Sequence, residues 1–226
     1  MRSPIRHLVR VLVFAWHWCP WVKPLSVAPE SEKVLGQLTN GHPFYSRPFQ
    51  YLFYCCASLM SGFYKKQLNE RRLGVWCAHH GLIAPPKQIV HSSQYMLQNR
   101  PFSKFDYGKQ RNQYLYGSDL PPTYDISKIT NKFMAFFYSS NDWAVNLKDV
   151  EFTKSKLTVP LFYDYLVKDK NWTHFDFQMG NDCGEVVNKR IVEVCQLALD
   201  VPDSPSPDSS LEMDYSLINN NEIPIE

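Results

Sequence analysis

KFMAFFYSSNDW, residues 132–143, is the stretch whose reading decides the fold. From Phe133 to Tyr138 the run is continuously apolar, and it stops at small polar residues. A short run of this kind, bounded by turn formers, suits a strand buried on both faces, as in a parallel sheet. Downstream, Asn146 stands as an N-cap with Asp149 three residues on, and Leu147, Val150, Lys154 and Leu157 follow at helical spacing. After Pro160, LFYDYLV is β-rich and aromatic. Beyond the loop NWTHFDF (171–177), Asp182 with Glu185 imitates a capping box. Val187, Ile191, Val194, Cys195 and Ala198 then form an apolar helical stripe. Strand, helix, strand, loop, helix is the closing order of an α/β sheet protein.

Upstream the character differs. From about residue 30 to 108 the chain reads as helical and loop-rich. PFQYLFYCCASLMSGFY is an apolar helical segment stopped by Gly62, and PPKQIVHSSQYMLQ opens on two prolines that suit a helix start. The Pro121-Pro122 pair separates this region from the strand-bearing part.

With 226 residues, 44% of them hydrophobic, the chain can bury one sizeable core or two small ones. A net charge of +2 gives no reason to expect nucleic acid as a partner. Arg2, Arg6, Arg10 and Lys23 make the start basic, whereas every charge from Asp200 onward is negative. That Pro-, Ser- and Asp-rich tail, 200–226, carries too little apolar area to offset its ordering entropy and is expected to be disordered. The N-terminal apolar stretch from Val11 to Cys19 has a signal-peptide look but is interrupted by His17 and two tryptophans. It falls short of the ~20 apolar residues of a spanning helix, so no transmembrane segment is expected. The six cysteines show no CxxC pair and no dense disulfide framework.

Two residues stand where α/β proteins place their chemistry, beyond the carboxyl ends of strands. Asp142 follows the first predicted strand, and His174 follows the second. An imidazole with a pKa near ~6.5 can take and return a proton at working pH, and a carboxylate on its other nitrogen fixes the tautomer. Asp before His on consecutive strand-end loops is the later half of the Ser…Asp…His order of α/β-hydrolases. Asp176 reads as a local hydrogen-bond acceptor.

These motifs resemble the acid lipase family of α/β-hydrolases, which includes the lysosomal and gastric lipases. YSSNDWAV is similar to the family's segment around the triad aspartate, here Asp142, with Ser139-Ser140 in place of a glycine pair. THFDFQMGNDCGEVVNKRIV resembles the segment around the triad histidine, here His174, with its terminal helix. FSKFDYGKQRNQYLYGSDLPPTYDISKI, NERRLGVWCAHHG and PKQIVHSSQ resemble the approach to these strands and the lid-bearing cap, with a different turn at 81–83. The resemblance covers about residues 50 to 199.

It implies a partial α/β-hydrolase fold: a mostly helical cap or lid region over 1–108, the C-terminal part of the core over 109–199, and the acidic tail. It implies hydrolysis of lipid esters, triglyceride or sterol ester, at a lipid surface, by acyl transfer with Asp142 and His174 in catalytic roles and without cofactor or metal. A secreted or lysosomal location goes with the family; separately, Asn171-Trp172-Thr173 is a sequon that makes Asn171 a possible glycosylation site. A glycan there would stand close to the catalytic opening, so Asn171 is expected to be unmodified or directed away.

The sequence holds no G-x-S-x-G, so the nucleophile of that chemistry is absent from it. By the resemblance the sequence starts inside the cap and Met1 matches an internal methionine, so the chain is expected to be a truncated lipase, at best a weak hydrolase. The alternative is a non-catalytic lipase-like protein that binds lipid or a partner, for which the basic amphipathic start (Arg2, Arg6, Arg10 beside Leu8, Val9, Leu12, Val13) would serve. A metal site from Cys77, His79, His80 and His91 ranks below both, because the spacing matches no usual zinc pattern.

Overall fold

The computed structural model describes residues 46–79, 86–98 and 101–201. The readings of the N-terminal segment, the turn at 81–83, His80 and the acidic tail lie outside these residues. The chain divides into two compact units, one with residues up to Phe63 and Asn69–Asp125, the other with Tyr64–Leu68 and Ile126 onward.

The first unit is helical. Helix α1 (Ser46–Ser61) ends at Gly62, whose φ of 103° is open to glycine but strained for other residues. Helix α2 (Leu73–His79) lays Trp76 edge-on against Phe53 and Tyr54 of α1 and buries Leu73 and Cys77. Helix α3 (Pro86–Gln98) begins on the second proline as its missing N–H allows. Helix α4 (Lys109–Tyr116) stops at Gly117 in the left-handed region. The FDYG…N motif has a structural account here. Asn112 is fully buried; its amide donates to Asp106 Oδ1 (2.7 Å) and the Asp119 carbonyl (3.0 Å), and its Oδ1 accepts the Tyr107 N–H. Gln94 clamps the Asp106 backbone at both its N–H and its carbonyl.

The second unit carries a two-stranded parallel sheet. Strand β1 (Ala135–Tyr138) pairs with β2 (Tyr163–Leu166) in the register Ala135 to Tyr163 through Tyr138 to Leu166. Helix α5 (Leu147–Lys154) makes the crossover, and Asn146 caps it by accepting the Asp149 N–H. After β2 come the short helix α6 (Asp176–Met179), a π-helical turn (Gly184–Asn188) and helix α7 (Lys189–Asp200). Alternation sorts the strands. Ala135, Phe137, Tyr163 and Tyr165 join the core with Trp172, Val187 and Val194. On the opposite face Lys154 of α5 bonds to Tyr138 Oη (2.8 Å) and Asp164 (2.6 Å). Burial works against the lysine charge, but the hydrogen bonds it donates to Asp164, Tyr138 and Glu151 outweigh it and hold the pKa above the ordinary lysine range.

Three local expectations need correction. β1 is half-buried throughout rather than buried on both faces, and Phe133 just before it is exposed. Of the α7 stripe, Val187 and Val194 are buried and Ala198 is partly so, but Ile191 and Cys195 are exposed. Both follow from width: two strands lie about 5 Å apart, and a helix is about 10 Å across, so this sheet covers one side of α7 and is itself incompletely covered. Finally, Asp182 does not form the capping box. Its carboxylate accepts Gln67 Nε2 (2.8 Å) and its N–H donates to Gln67 Oε1 (3.0 Å), a partner far away in sequence that outcompetes the local cap.

Candidate active site

The turn after β1 is built to hold one carboxylate. Ser139 is buried, and the hydroxyl and amide of Ser140 and Asn141 reach across to the next strand-end loop, donating to the Lys170 and Asn171 carbonyls (3.4 and 3.0 Å). Ser140 and Asn141 thus tie this turn to the neighbouring loop. Asp142 follows, 8% exposed. Its Oδ1 accepts the Ala144 and Val145 N–H groups, both at 2.8 Å, which fixes the carboxylate before α5 begins.

The loop after β2 is anchored by Trp172, which is completely buried and meets Phe177 edge-on. Tyr64 Oη donates to Asp169 Oδ2 (2.7 Å), while Asp169 Oδ1 accepts the Asn171 N–H (3.0 Å). Those bonds, the Asn171 N–H first, hold the Asp169 pKa below the ordinary carboxylate range. Thr173 is buried, and both its N–H (2.7 Å) and its Oγ1 (2.8 Å) donate to Asp176 Oδ2. Burial raises the Asp176 pKa, against these hydrogen bonds.

From this frame His174 reaches Asp142: Nδ1 lies 2.8 Å from Oδ2. The side-chain exposures differ, 6% for Asp142 and 43% for His174. The hydrogen bond to Asp142 raises the His174 pKa above its ordinary 6.5, against the opposing effect of partial burial. With Nδ1 turned to the carboxylate, Nε2 is the nitrogen left to exchange a proton. The two residues singled out in the sequence as a pair are therefore brought together, from loops 32 residues apart.

The histidine loop is anchored by Trp172, with Phe177 packed on the same core. The Thr173 hydroxyl of the sequon is engaged by Asp176, while Asn171 is exposed. Cys77 is buried, and burial pushes its thiol up to about 11; His91 bonds to the Ser103 carbonyl and to Tyr95. Among the described residues no three His, Cys, Asp or Glu side chains cluster as metal ligands. No helix among them is long and apolar enough to cross a membrane. Asp176 is the local acceptor expected from the sequence, whereas the clamps from Asn141 and Tyr64 were missed because nothing in residue type or spacing distinguishes them before folding.

No protein-family model matches the chain. It is 31% identical over 138 residues to Lipase 3 of Drosophila melanogaster, which covers 61% of this chain and 34% of that protein. It is 26% identical over 137 residues to human lysosomal acid lipase/cholesteryl ester hydrolase, and 26% over 137 residues to rat gastric triacylglycerol lipase. Each of the latter two alignments covers 60% of this chain and 33% of the relative. The chain thus spans about a third of the length of the curated relatives it matches.

Proposed function

We propose, on the premise that this chain is a distant homologue of the acid lipases over about 60% of its length, that it carries the carboxylate and general base of a lipid carboxylic ester hydrolase with a partial α/β-hydrolase fold. One observation supports the reading above the others: a buried carboxylate fixed by two backbone N–H groups, 2.8 Å from Nδ1 of an accessible histidine, at adjacent strand ends. In such a site His174 Nε2 takes the proton of a seryl hydroxyl as its oxygen attacks the ester carbonyl. Asp142 stabilises the imidazolium formed, and the same proton passes to the departing alcohol. Water then repeats the sequence on the acyl-enzyme. The reading assigns the serine to sequence this chain does not contain, since no G-x-S-x-G occurs in it.

Triglyceride or sterol ester as substrate, a lipid surface as the working interface, and a secreted or lysosomal location are proposed from the names of the relatives. Asn171, exposed beside the site, would receive a glycan only before Thr173 docks on Asp176. A second reading, a lipase-like protein that binds lipid or a partner without hydrolysing it, is favoured by the missing serine alone. The dyad is tested by an NMR pH titration of the imidazole in the wild type and in Asp142→Asn. His174 is expected to titrate above 6.5 in the wild type and to lose that elevation in the variant. Identical titrations would sink the assignment.

A further inference from the structure

Asp176 is the local acceptor the sequence suggested, and the structure gives it an unusual place. It is 7% exposed, has no cation against it in its hydrogen-bond set, and spends a single oxygen, Oδ2, on two donors of one residue. That residue, Thr173, is the backbone neighbour of His174. The Asp176 N–H in turn donates to the Thr173 carbonyl at 3.2 Å. Three hydrogen bonds between residues 173 and 176 therefore close a turn in which His174 and Phe175 are the enclosed positions. Thr173 is 3% exposed, so water cannot replace a lost bond without opening the turn. The far side is equally tight: Trp172 sits in the core, and a Cβ at Gly180 would come within 2.7 Å of the Asp176 carbonyl.

We propose that Asp176 is a positioning residue for His174: by accepting both donors of Thr173 it fixes the backbone from which the imidazole reaches Asp142. This rests on the reading of Asp142 and His174 as orienting carboxylate and base. The demand is geometric. A hydrogen bond at 2.8 Å is lost by displacements of well under about 1 Å, and two of the three bonds that set the Cα of His174 in this turn end on the one carboxylate.

The test reads His174 by NMR pH titration in the full chain, with fold checked by amide dispersion. Asp176→Ala is expected to lose the elevation that Asp142 confers on His174. Asp176→Asn, which removes the charge but keeps an acceptor oxygen, is expected to retain most of it. Thr173→Val, which deletes only the Oγ1 bond, is expected to lose part of it, and stands in for Asp176→Ala should that variant fail to fold. An unmoved His174 in the Ala or Val variant overturns the proposal. So does an equal loss in Asn and Ala, which would make the effect one of charge. If instead Asp142→Asn leaves His174 unchanged, the reading of the dyad falls, and that outcome is distinct from failure of the positioning role alone.

Discussion

The contact between His174 and Asp142 couples protonation to folding. Because Asp142 raises the His174 pKa, the folded state holds a proton that the unfolded chain gives up. The stabilisation from the pair is therefore complete below the ordinary histidine value of 6.5 and fades as pH climbs through the raised folded value. Urea unfolding at a series of pH values should show this loss of stability with rising pH in the wild type and a flatter profile in Asp142→Asn. A profile unchanged by the substitution would mean that the bond does not bias the imidazole. Asp142 and His174 were legible in the sequence because they sit just past two β-like runs. Their residue types then limit what such positions can do. The groups that aim them were not legible. Asn141 donates to a backbone carbonyl and Tyr64 donates its hydroxyl to a carboxylate, each on a segment remote in sequence whose approach depends on the folded loops.

The elements around the pair were read with uneven success, for physical reasons. Asn146 declared the start of α5, because an N-cap and its partner are local in sequence. Asp182 misled, because Gln67 offers it better-matched bonds from a remote segment. The histidine loop takes its rigidity from Trp172, which is completely buried and whose indole N–H has no hydrogen-bond partner among the described residues. Trp172→Ala should cost about 3–5 kcal/mol in chemical denaturation, the range for deleting a buried aromatic ring. Trp172→Phe should cost clearly less, since it keeps most of the apolar contact and removes an unpaired donor. Equal losses in the two variants would show that the indole nitrogen, rather than the ring surface, anchors the loop.

At the scale of the molecule, parallel β order was legible from two short aromatic runs separated by a capped helix, and the structure contains that parallel pair. The extent of burial was not legible, because it depends on how many strands lie side by side. With two strands among the described residues, β1 is half-covered and α7 keeps Ile191, Val192 and Leu199 exposed. An apolar helix face and an open strand edge are surfaces that a larger sheet would bury. The proposed function makes His174 the base of an ester hydrolase, although no G-x-S-x-G occurs in this sequence. It is tested most directly by the rate of p-nitrophenyl ester hydrolysis by the protein translated from the complete transcript, with and without His174→Ala. A G-x-S-x-G in that protein, measurable hydrolysis, and a fall of at least about a thousandfold in the variant are expected. Hydrolysis that survives His174→Ala, or a complete protein with neither the serine nor the activity, would contradict it.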